Sequence, residues 1–171
     1  MIYLIIALAI AARFIPGAAN FSPVYAGLLF GGVYLKKRDS IWFPVLLLAV
    51  SDVLLNTLVY QTPFQWMQTL NWVGFAAIAM VGWWLQKRVS VRNVLVASIA
   101  GPSAFFLISN FAVWLGGTMY PLTPGGLAAC YVAAVPFYGN SLMSSVLFSG
   151  ILFGAYAFYL RKAHSAELAA R

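Results

Sequence analysis

Long runs of apolar residues, separated by short polar or basic stretches, dominate the pattern along this chain. Each run is continuously hydrophobic rather than alternating with period two, which is typical of helices in a membrane and not of barrel strands. The runs cover residues 1–14, 23–35, 41–60, 72–86, 93–115 and 141–160. We therefore predict an all-α integral membrane protein, with six transmembrane helices that form one domain over residues 1–171.

Composition and charge support this class and add a topology. The chain is 63% hydrophobic and only 8% charged, so its polar residues could not cover the surface of a soluble domain. Nine of the ten Lys and Arg residues follow the second, fourth and sixth runs. These clusters are Lys36–Arg38, Lys87–Arg88 with Arg92, and Arg161–Lys162 with Arg171. The positive-inside rule then predicts both termini in the cytoplasm and the protein in the inner (plasma) membrane.

The first run also allows a second interpretation, in which residues 1–12 are a cleaved signal peptide. The triplets Ala7-Leu8-Ala9 and Ala9-Ile10-Ala11 resemble cleavage sites. The basic region that should precede them in a signal peptide is missing. We therefore expect this run to be retained as the first transmembrane helix.

The segment between the fifth and sixth runs, residues 116–140, is long and carries no charge. Thr123-Pro124 favours a helix start and Pro136 a helix stop, which predicts a short separate helix on the outer side of the membrane. One face of it would consist of Leu127, Cys130, Tyr131 and Ala134. Such a helix could close over an outward-facing cavity or simply fill space, and the pattern leaves both open.

Two charges lie inside apolar runs, Arg13 in the first and Asp52 in the third. An ionisable residue at that depth is costly unless it is paired or solvated, so it indicates a functional site. Arg13 lies about 18 Å and Asp52 about 16 Å from the inner ends of their helices, which brings both to one level. Together they would form a structural clasp between two helices or the polar floor of an outward-opening pocket. Alternatively, Arg13 could reach the outer interface by itself.

Further polar and aromatic residues gather toward the outer half of the predicted bundle. Asn56 lies one helical turn beyond Asp52, and Asn110 shares a helix face with Trp114. A mostly apolar concavity with a few convergent polar groups is typical of a small-molecule pocket, although buried amides also join helices without other function. The candidate ligand-binding residues are Arg13, Asn20, Asp52, Asn56, Asn110, Trp114, Tyr120 and Tyr131.

Residues that carry catalytic or metal chemistry are scarce in the predicted spans. The single histidine, His164, lies in the C-terminal tail, so no Ser–His or Cys–His pair can form in the bundle. The sequence also lacks a phosphate-binding loop and a cluster of metal ligands. Cys130 could bind a soft metal, but a thiol without a companion histidine favours packing. We therefore expect no enzymatic activity and no cofactor.

Pairs of small residues four positions apart occur in three of the runs. Residues of this kind let helices approach closely in lipid, so they predict helix packing within the chain or against a partner. The positions concerned are Gly27, Gly31, Gly150, Gly154, Ala7 and Ala11.

Two groups of motifs resemble a bacterial membrane-protein family that has no assigned activity. The first group is Arg13-Phe14-Ile15-Pro16, Asn20-Phe21-Ser22-Pro23 and Leu29-Phe30-Gly31-Gly32. The second is Asn110-Phe111-Ala112-Val113-Trp114, Tyr120-Pro121, Gly126-Leu127, Cys130-Tyr131 and Pro136-Phe137. Together they span most of the chain.

The predicted architecture is similar to that of the S components of energy-coupling-factor transporters, six-helix proteins with both termini inside. This resemblance implies capture of a vitamin-like or metal-containing molecule from the outer face, beneath residues 116–140. It also implies a coupling transmembrane protein with ATPases as partner, because Ala7 and Ala11 match the A-x-x-x-A docking pattern of S components. The alternatives are an accessory or assembly subunit of a larger membrane complex, or a proton-coupled carrier that uses Asp52.

Overall fold

The computed structural model describes residues 1–15, 17, 20–62 and 68–169, and these residues form helices and turns without a strand. Their six α-helices are α1 Ile2–Ala11, α2 Val24–Tyr34, α3 Asp39–Leu54, α4 Thr69–Leu85, α5 Val91–Leu115 and α6 Pro124–Ala169. A 3-10 turn, Ala12–Phe14, continues α1, and a π-helix, Leu55–Tyr60, continues α3. The all-α prediction is confirmed.

Three segments are long and apolar enough to cross a membrane: Asp39–Tyr60, Val91–Leu115 and Pro124–Ala166. Since the hydrocarbon core is about 30 Å thick, a full span needs about 20 residues. The other apolar helices, Ile2–Phe14, Val24–Tyr34 and Thr69–Leu85, are shorter than that. Long and short apolar helices therefore pack together in one bundle.

Side-chain contacts show that consecutive helices run in opposite directions. Tyr3 Oη, at the start of α1, donates to Asp39 Oδ2 at the start of α3, over 2.8 Å. The ring of Tyr34, at the end of α2, lies 4.5 Å from the ring of Tyr156 in the second half of α6. These contacts mark one end of the bundle, which we call the basic end. It carries Lys36–Arg38, Lys87–Arg88 and Arg161–Lys162.

Helix α2 is the centre of the bundle, since every residue from Val24 to Val33 is buried. Its glycines lie against α1: a Cβ on Gly27 would come within 2.8 Å of Ala9 Cβ, and one on Gly31 within 2.8 Å of Ile6 Cδ1. A larger side chain at position 27 would push α1 away, because Ala9 Cβ is fixed to the backbone, whereas at position 31 the end of the Ile6 side chain would have to move. This close approach is what the spacing of the two glycines predicts.

A second close approach, between α2 and α4, has no counterpart in the predicted small-residue pairs. A Cβ on Gly32 would overlap the carbonyl oxygen of Ala79 and lie 2.9 Å from Gly82 Cα. Because the obstructing atoms are backbone, they cannot rotate away as a side chain could. The backbones of α2 and α4 are therefore in direct contact.

The remaining small residues of the predicted pairs are at most partly covered. Gly150 and Gly154 are exposed, and a Cβ added to either would have no neighbour within 4 Å. Ala11 is also exposed and Ala7 is half-buried. These positions leave parts of α1 and α6 open at the surface of the bundle.

The prediction of a separate short helix within residues 116–140 is wrong. Helix α6 begins at Pro124 and continues to Ala169 as one helix of 46 residues, a length of about 69 Å. The connection from α5 is therefore limited to residues 116–123, and the predicted outer helix is the first part of α6.

Pro136 lies inside α6 and does not end it. A proline removes one backbone hydrogen bond, but membrane helices tolerate this where neighbouring helices support the turn. The turns on either side are supported by α5. Tyr131 Oη donates to the carbonyl oxygen of Leu107 over 2.7 Å, and the hydroxyls of Tyr138 and Ser103 are 2.7 Å apart. Tertiary contacts thus override the local stop signal.

Helices α5 and α6 extend beyond the start of α2 at the end opposite the basic end. Tyr25, in the first turn of α2, contacts the ring of Phe105 (5.7 Å) and accepts a hydrogen bond from Ser141 Oγ (3.1 Å). Residues 106–115 of α5 and 124–140 of α6 therefore continue past the start of α2, for about 15 Å and 25 Å of helix. The short helices α1 and α2 end below this hairpin and leave a recess beside it.

Candidate functional site

A cavity of about 520 Å³ lies in this recess. The end of α1 and the start of α2 form its floor, and the π-helix, the first turns of α4 and Phe105 form its walls. The polar and aromatic residues that line it include Arg13, Asn20, Tyr25, Asp52, Tyr60, Asn71, Phe75 and Phe105. Three of the eight predicted ligand-binding residues therefore line one cavity: Arg13, Asn20 and Asp52.

Arg13 and Asp52 form a direct ion pair on the floor of this cavity. Arg13 Nη2 lies 2.6 Å from Asp52 Oδ1, and Nη1 donates to Ser51 Oγ over 2.5 Å. The indole Nε1 of Trp72 donates to the other carboxylate oxygen, Oδ2, over 2.8 Å. The side chains of the pair are only 21% and 13% exposed. The charge of each residue is thus compensated where it is largely removed from solvent.

This pair connects helices as the clasp among the predicted alternatives would. It joins α1 to α3, and through Trp72 it also holds the start of α4. It lines the cavity at the same time. The polar floor therefore carries no net charge, and its geometry is held by three helices, as a preorganised site requires.

The wall next to Asp52 is a π-helix, Leu55–Tyr60, which the apolar pattern did not predict. Such segments are rare and occur frequently at functional sites. Leu55, Val59 and Tyr60 line the cavity, and Gln61, which follows, has a left-handed backbone with φ of 51°. The π-helical turn therefore directs several of its side chains toward the cavity.

Asn56 lies in the same π-helix but does not line the cavity. It is 8% exposed, and its Nδ2 donates to Gln68 Oε1 over 2.8 Å. This bond joins the end of α3 to the residue that precedes α4. The structure thus places Asn56 behind the wall of the cavity, where it supports the π-helix and does not line the cavity.

Asn20 lies between two cavities, since it lines both the large cavity and a second one of about 110 Å³. Its φ of 61° is left-handed, a conformation that asparagine adopts more readily than most residues. The second cavity lies between α5 and α6, and Phe105 also borders both. Asn110 lines only the second cavity, and its Nδ2 donates to the carbonyl oxygen of Phe106 (2.8 Å).

Three other predicted residues line neither cavity. Trp114 Nε1 donates to the carbonyl oxygen of Pro121 over 3.0 Å and fastens the connection between α5 and α6. Tyr131 is bound to α5 through its hydroxyl, and Tyr120 is half-buried on the connection. Trp114 and Tyr131 thus support the hairpin that stands beside the recess.

Cys130 is buried, and its thiol donates to the carbonyl oxygen of Asn110 over 3.4 Å. In the part of the chain that the structure describes, no three His, Cys, Asp or Glu residues come together as a metal site would require. The position of Cys130 between α6 and α5 is that of a packing residue.

Sequence reasoning missed Ser51 and Trp72, which bind the ion pair, and Asn71, which lines the cavity. The signal that could have revealed Trp72 is its position in the first turn of the fourth apolar run, which places it at the depth of Asp52. A tryptophan at the end of an apolar run is more typical of a membrane-interface anchor. Only the packing of α4 against α3 distinguishes the two roles.

Fold and site together define an all-α protein with helices of membrane-spanning length and a cavity whose floor is a compensated ion pair. A family model matches residues 1–168, and the chain belongs to that family, the family of unknown function DUF6580. This agrees with the resemblance of its motifs to a family without an assigned activity. Neither the curated proteins nor the solved structures include a significant match to the chain.

Proposed function

We propose that this protein binds a small organic molecule in the 520 Å³ cavity and serves in its uptake, in the manner of an S component. The observation that carries the proposal is this cavity, with the Arg13–Asp52 pair on its floor. Ligand sites typically measure 300–1,000 Å³ and combine apolar walls with a few polar groups. The cavity lies within that range, and its lining combines polar residues with aromatic and aliphatic ones.

In the proposed topology all six helices lie in the inner membrane, with the basic end and both termini in the cytoplasm. Support comes from Lys36–Arg38, Lys87–Arg88 and Arg161–Lys162, which share one end of the bundle and which the positive-inside rule assigns to the cytoplasmic side. Because α1 and α2 are shorter than the membrane core, the cavity above them would open toward the outer face.

The lining favours a ligand that carries no net charge. Arg13 is neutralised by Asp52, and both carboxylate oxygens already accept hydrogen bonds. The aromatic rings of Tyr25, Phe75 and Phe105 contact one another beside the floor. A vitamin-sized molecule with a flat or apolar body and a few neutral polar groups would match these walls.

Uptake would need an energy source outside this chain, since the sequence has no phosphate-binding loop. We propose a coupling transmembrane protein with ATPases as partner. The exposed Ala11 and half-buried Ala7 leave one face of α1 accessible to such a protein.

Purification from native membranes, followed by mass spectrometry of bound small molecules and proteins, tests the proposal. Val59→Trp should reduce the amount of bound small molecule, because Val59 lines the cavity. Val53→Trp is the matched control, since Val53 is exposed on α3 and is not part of the lining. Equal small-molecule content in both variants and the wild type, or none in any of them, would overturn the proposal.

A second candidate function, an accessory subunit of a larger complex, is favoured by the open surface at Gly150 and Gly154. In that case Gly150→Leu should release a protein that otherwise co-purifies in fixed ratio, while Val59→Trp should not. The proton-coupled carrier is the least supported function. Arg13 and Trp72 already occupy both oxygens of Asp52, an arrangement suited to holding helices.

A further inference from the structure

Two turns at the basic end are held side by side: residues 36–38, between α2 and α3, and residues 86–90, between α4 and α5. We call them the paired basic turns. Gln86 Nε2 donates to the carbonyl oxygen of Gly32 over 3.0 Å, which joins the end of α4 to the end of α2. The close backbone contact between α2 and α4 at Gly32 lies directly beside this bond.

Further contacts hold the first of these turns against α4. Trp83 Nε1 donates to Ser40 Oγ over 2.8 Å, and the same hydroxyl donates to the carbonyl oxygen of Lys37 over 2.9 Å. Ser40 is fully buried, so both bonds are shielded from solvent. The ammonium of Lys37 lies 5.4 Å from the centre of the Trp83 ring. The two turns therefore form a surface whose geometry is fixed by these side-chain contacts.

The paired basic turns carry five exposed cations, which are Lys36, Lys37, Arg38, Lys87 and Arg88. Within the described part of the chain none of them has an ion-pair partner, since the salt bridge found there is that of Arg13 with Asp52. The neighbouring carboxylate, Asp39, accepts hydrogen bonds from Tyr3 Oη and Trp42 Nε1, and Arg38 and Lys36 act on it only at longer range. Five positive charges thus lie close together beside a single neighbouring carboxylate.

Amphipathic aromatic residues surround the same end of the bundle. Trp42 and Trp84 are 45% and 47% exposed, and Trp83 is half-buried between them and the basic turns. Tryptophan is enriched at the level of lipid headgroups, where its ring is in apolar surroundings and its N–H reaches polar groups. The anions available at that level are the phosphates of lipids.

We propose that the paired basic turns bind the phosphate groups of anionic phospholipids. Lys and Arg clusters next to membrane helices are attracted to anionic headgroups, and here two turns present their cations jointly at headgroup level. This site lies at the other end of the bundle from the cavity. The inference rests on the membrane topology proposed above, but not on ligand binding in the cavity.

The test is native mass spectrometry of the purified full chain with phosphatidylglycerol or phosphatidylcholine added. Phosphatidylglycerol should bind preferentially, and Lys36→Gln/Lys87→Gln should weaken its binding on the order of tenfold. Arg161→Gln/Lys162→Gln is the matched control, because it removes two charges at the same end but outside the paired basic turns. It should bind phosphatidylglycerol nearly as well as the wild type does.

Arg38→Gln/Arg88→Gln provides a second variant of the paired basic turns, should the first one fail to fold. The proposal would be overturned if both lipids bind equally well. It would also be overturned if the control variant loses as much phosphatidylglycerol binding as the variants of the paired basic turns. Inorganic phosphate that competes as strongly as the lipid would assign the turns to a free anion instead. If an acidic protein co-purifies with the wild type and is lost from Lys36→Gln/Lys87→Gln while phosphatidylglycerol binding stays unchanged, the turns would be assigned to a protein contact.

Discussion

The guanidinium of Arg13, on the turn that continues α1, meets the carboxylate of Asp52, on α3, at 2.6 Å. Neither charge could remain alone in this position, because both side chains are largely buried. Their pairing determines how α1 lies against α3 and gives the cavity a polar floor without net charge.

The energetic coupling of this pair can be measured. Asp52→Ala leaves a partly buried arginine without its counter-charge, and we expect it to lower the free energy of unfolding by about 3 kcal/mol. Arg13→Met should have a similar effect. The double variant should lose clearly less free energy of unfolding than the two single variants lose together, because it leaves no uncompensated charge. Thermal unfolding in detergent measures all three, and additive losses would show that the pair is not coupled.

Trp72 should contribute through its hydrogen bond to Asp52. Trp72→Phe keeps an aromatic ring but removes the donor to Oδ2, so we expect a loss of about 1 kcal/mol in the free energy of unfolding. Trp84→Phe is the control, because Trp84 is 47% exposed, and it should change stability little. If both variants unfold at the same temperature, the bond to Asp52 adds nothing.

Replacing glycine by alanine should lower the stability of the protein at position 32 but not at position 150. Gly32→Ala would bring a methyl group into the backbone of α4, and overpacking of this kind costs about 1–3 kcal/mol. Gly150→Ala meets no atom within 4 Å and should be neutral or stabilise the helix by up to about 1 kcal/mol. Unfolding temperatures of the two variants measure the difference. A Gly32→Ala protein as stable as the wild type would exclude the close contact of α2 with α4.

The continuity of α6 can be tested at its prolines. Pro136→Ala restores a backbone donor inside the helix, so it should raise the free energy of unfolding by about 1 kcal/mol. Pro124→Ala should have little effect, because Pro124 is the first residue of α6, where proline is well tolerated. Circular dichroism and thermal unfolding measure both. An unchanged stability in Pro136→Ala would instead favour a helix that ends there.

The elements of this fold could be predicted closely, and the site only in part. Continuous apolar runs predicted the helices, because helical hydrophobicity is a property of consecutive residues. Arg13 and Asp52 were identified because each is an isolated charge in such a run. Trp114, Tyr120 and Tyr131 were grouped with them because all three lie toward the outer half of the predicted bundle. That position does not specify which neighbour a side chain contacts, and Trp114 and Tyr131 form hydrogen bonds within the α5–α6 hairpin instead.

The sequence by itself determined the all-α class, the positions of most helices and the two charges that had to be compensated. Only the tertiary structure decided that α6 continues through Pro136, that Gly150 and Gly154 stay uncovered, and that Trp72 completes the ion pair. The reason is physical: apolar periodicity and isolated charges are local properties of a chain. Whether a helix tolerates a proline, whether a glycine is covered and which group a hydrogen bond joins are different matters. They depend on residues that are distant in sequence and become neighbours only when the helices pack.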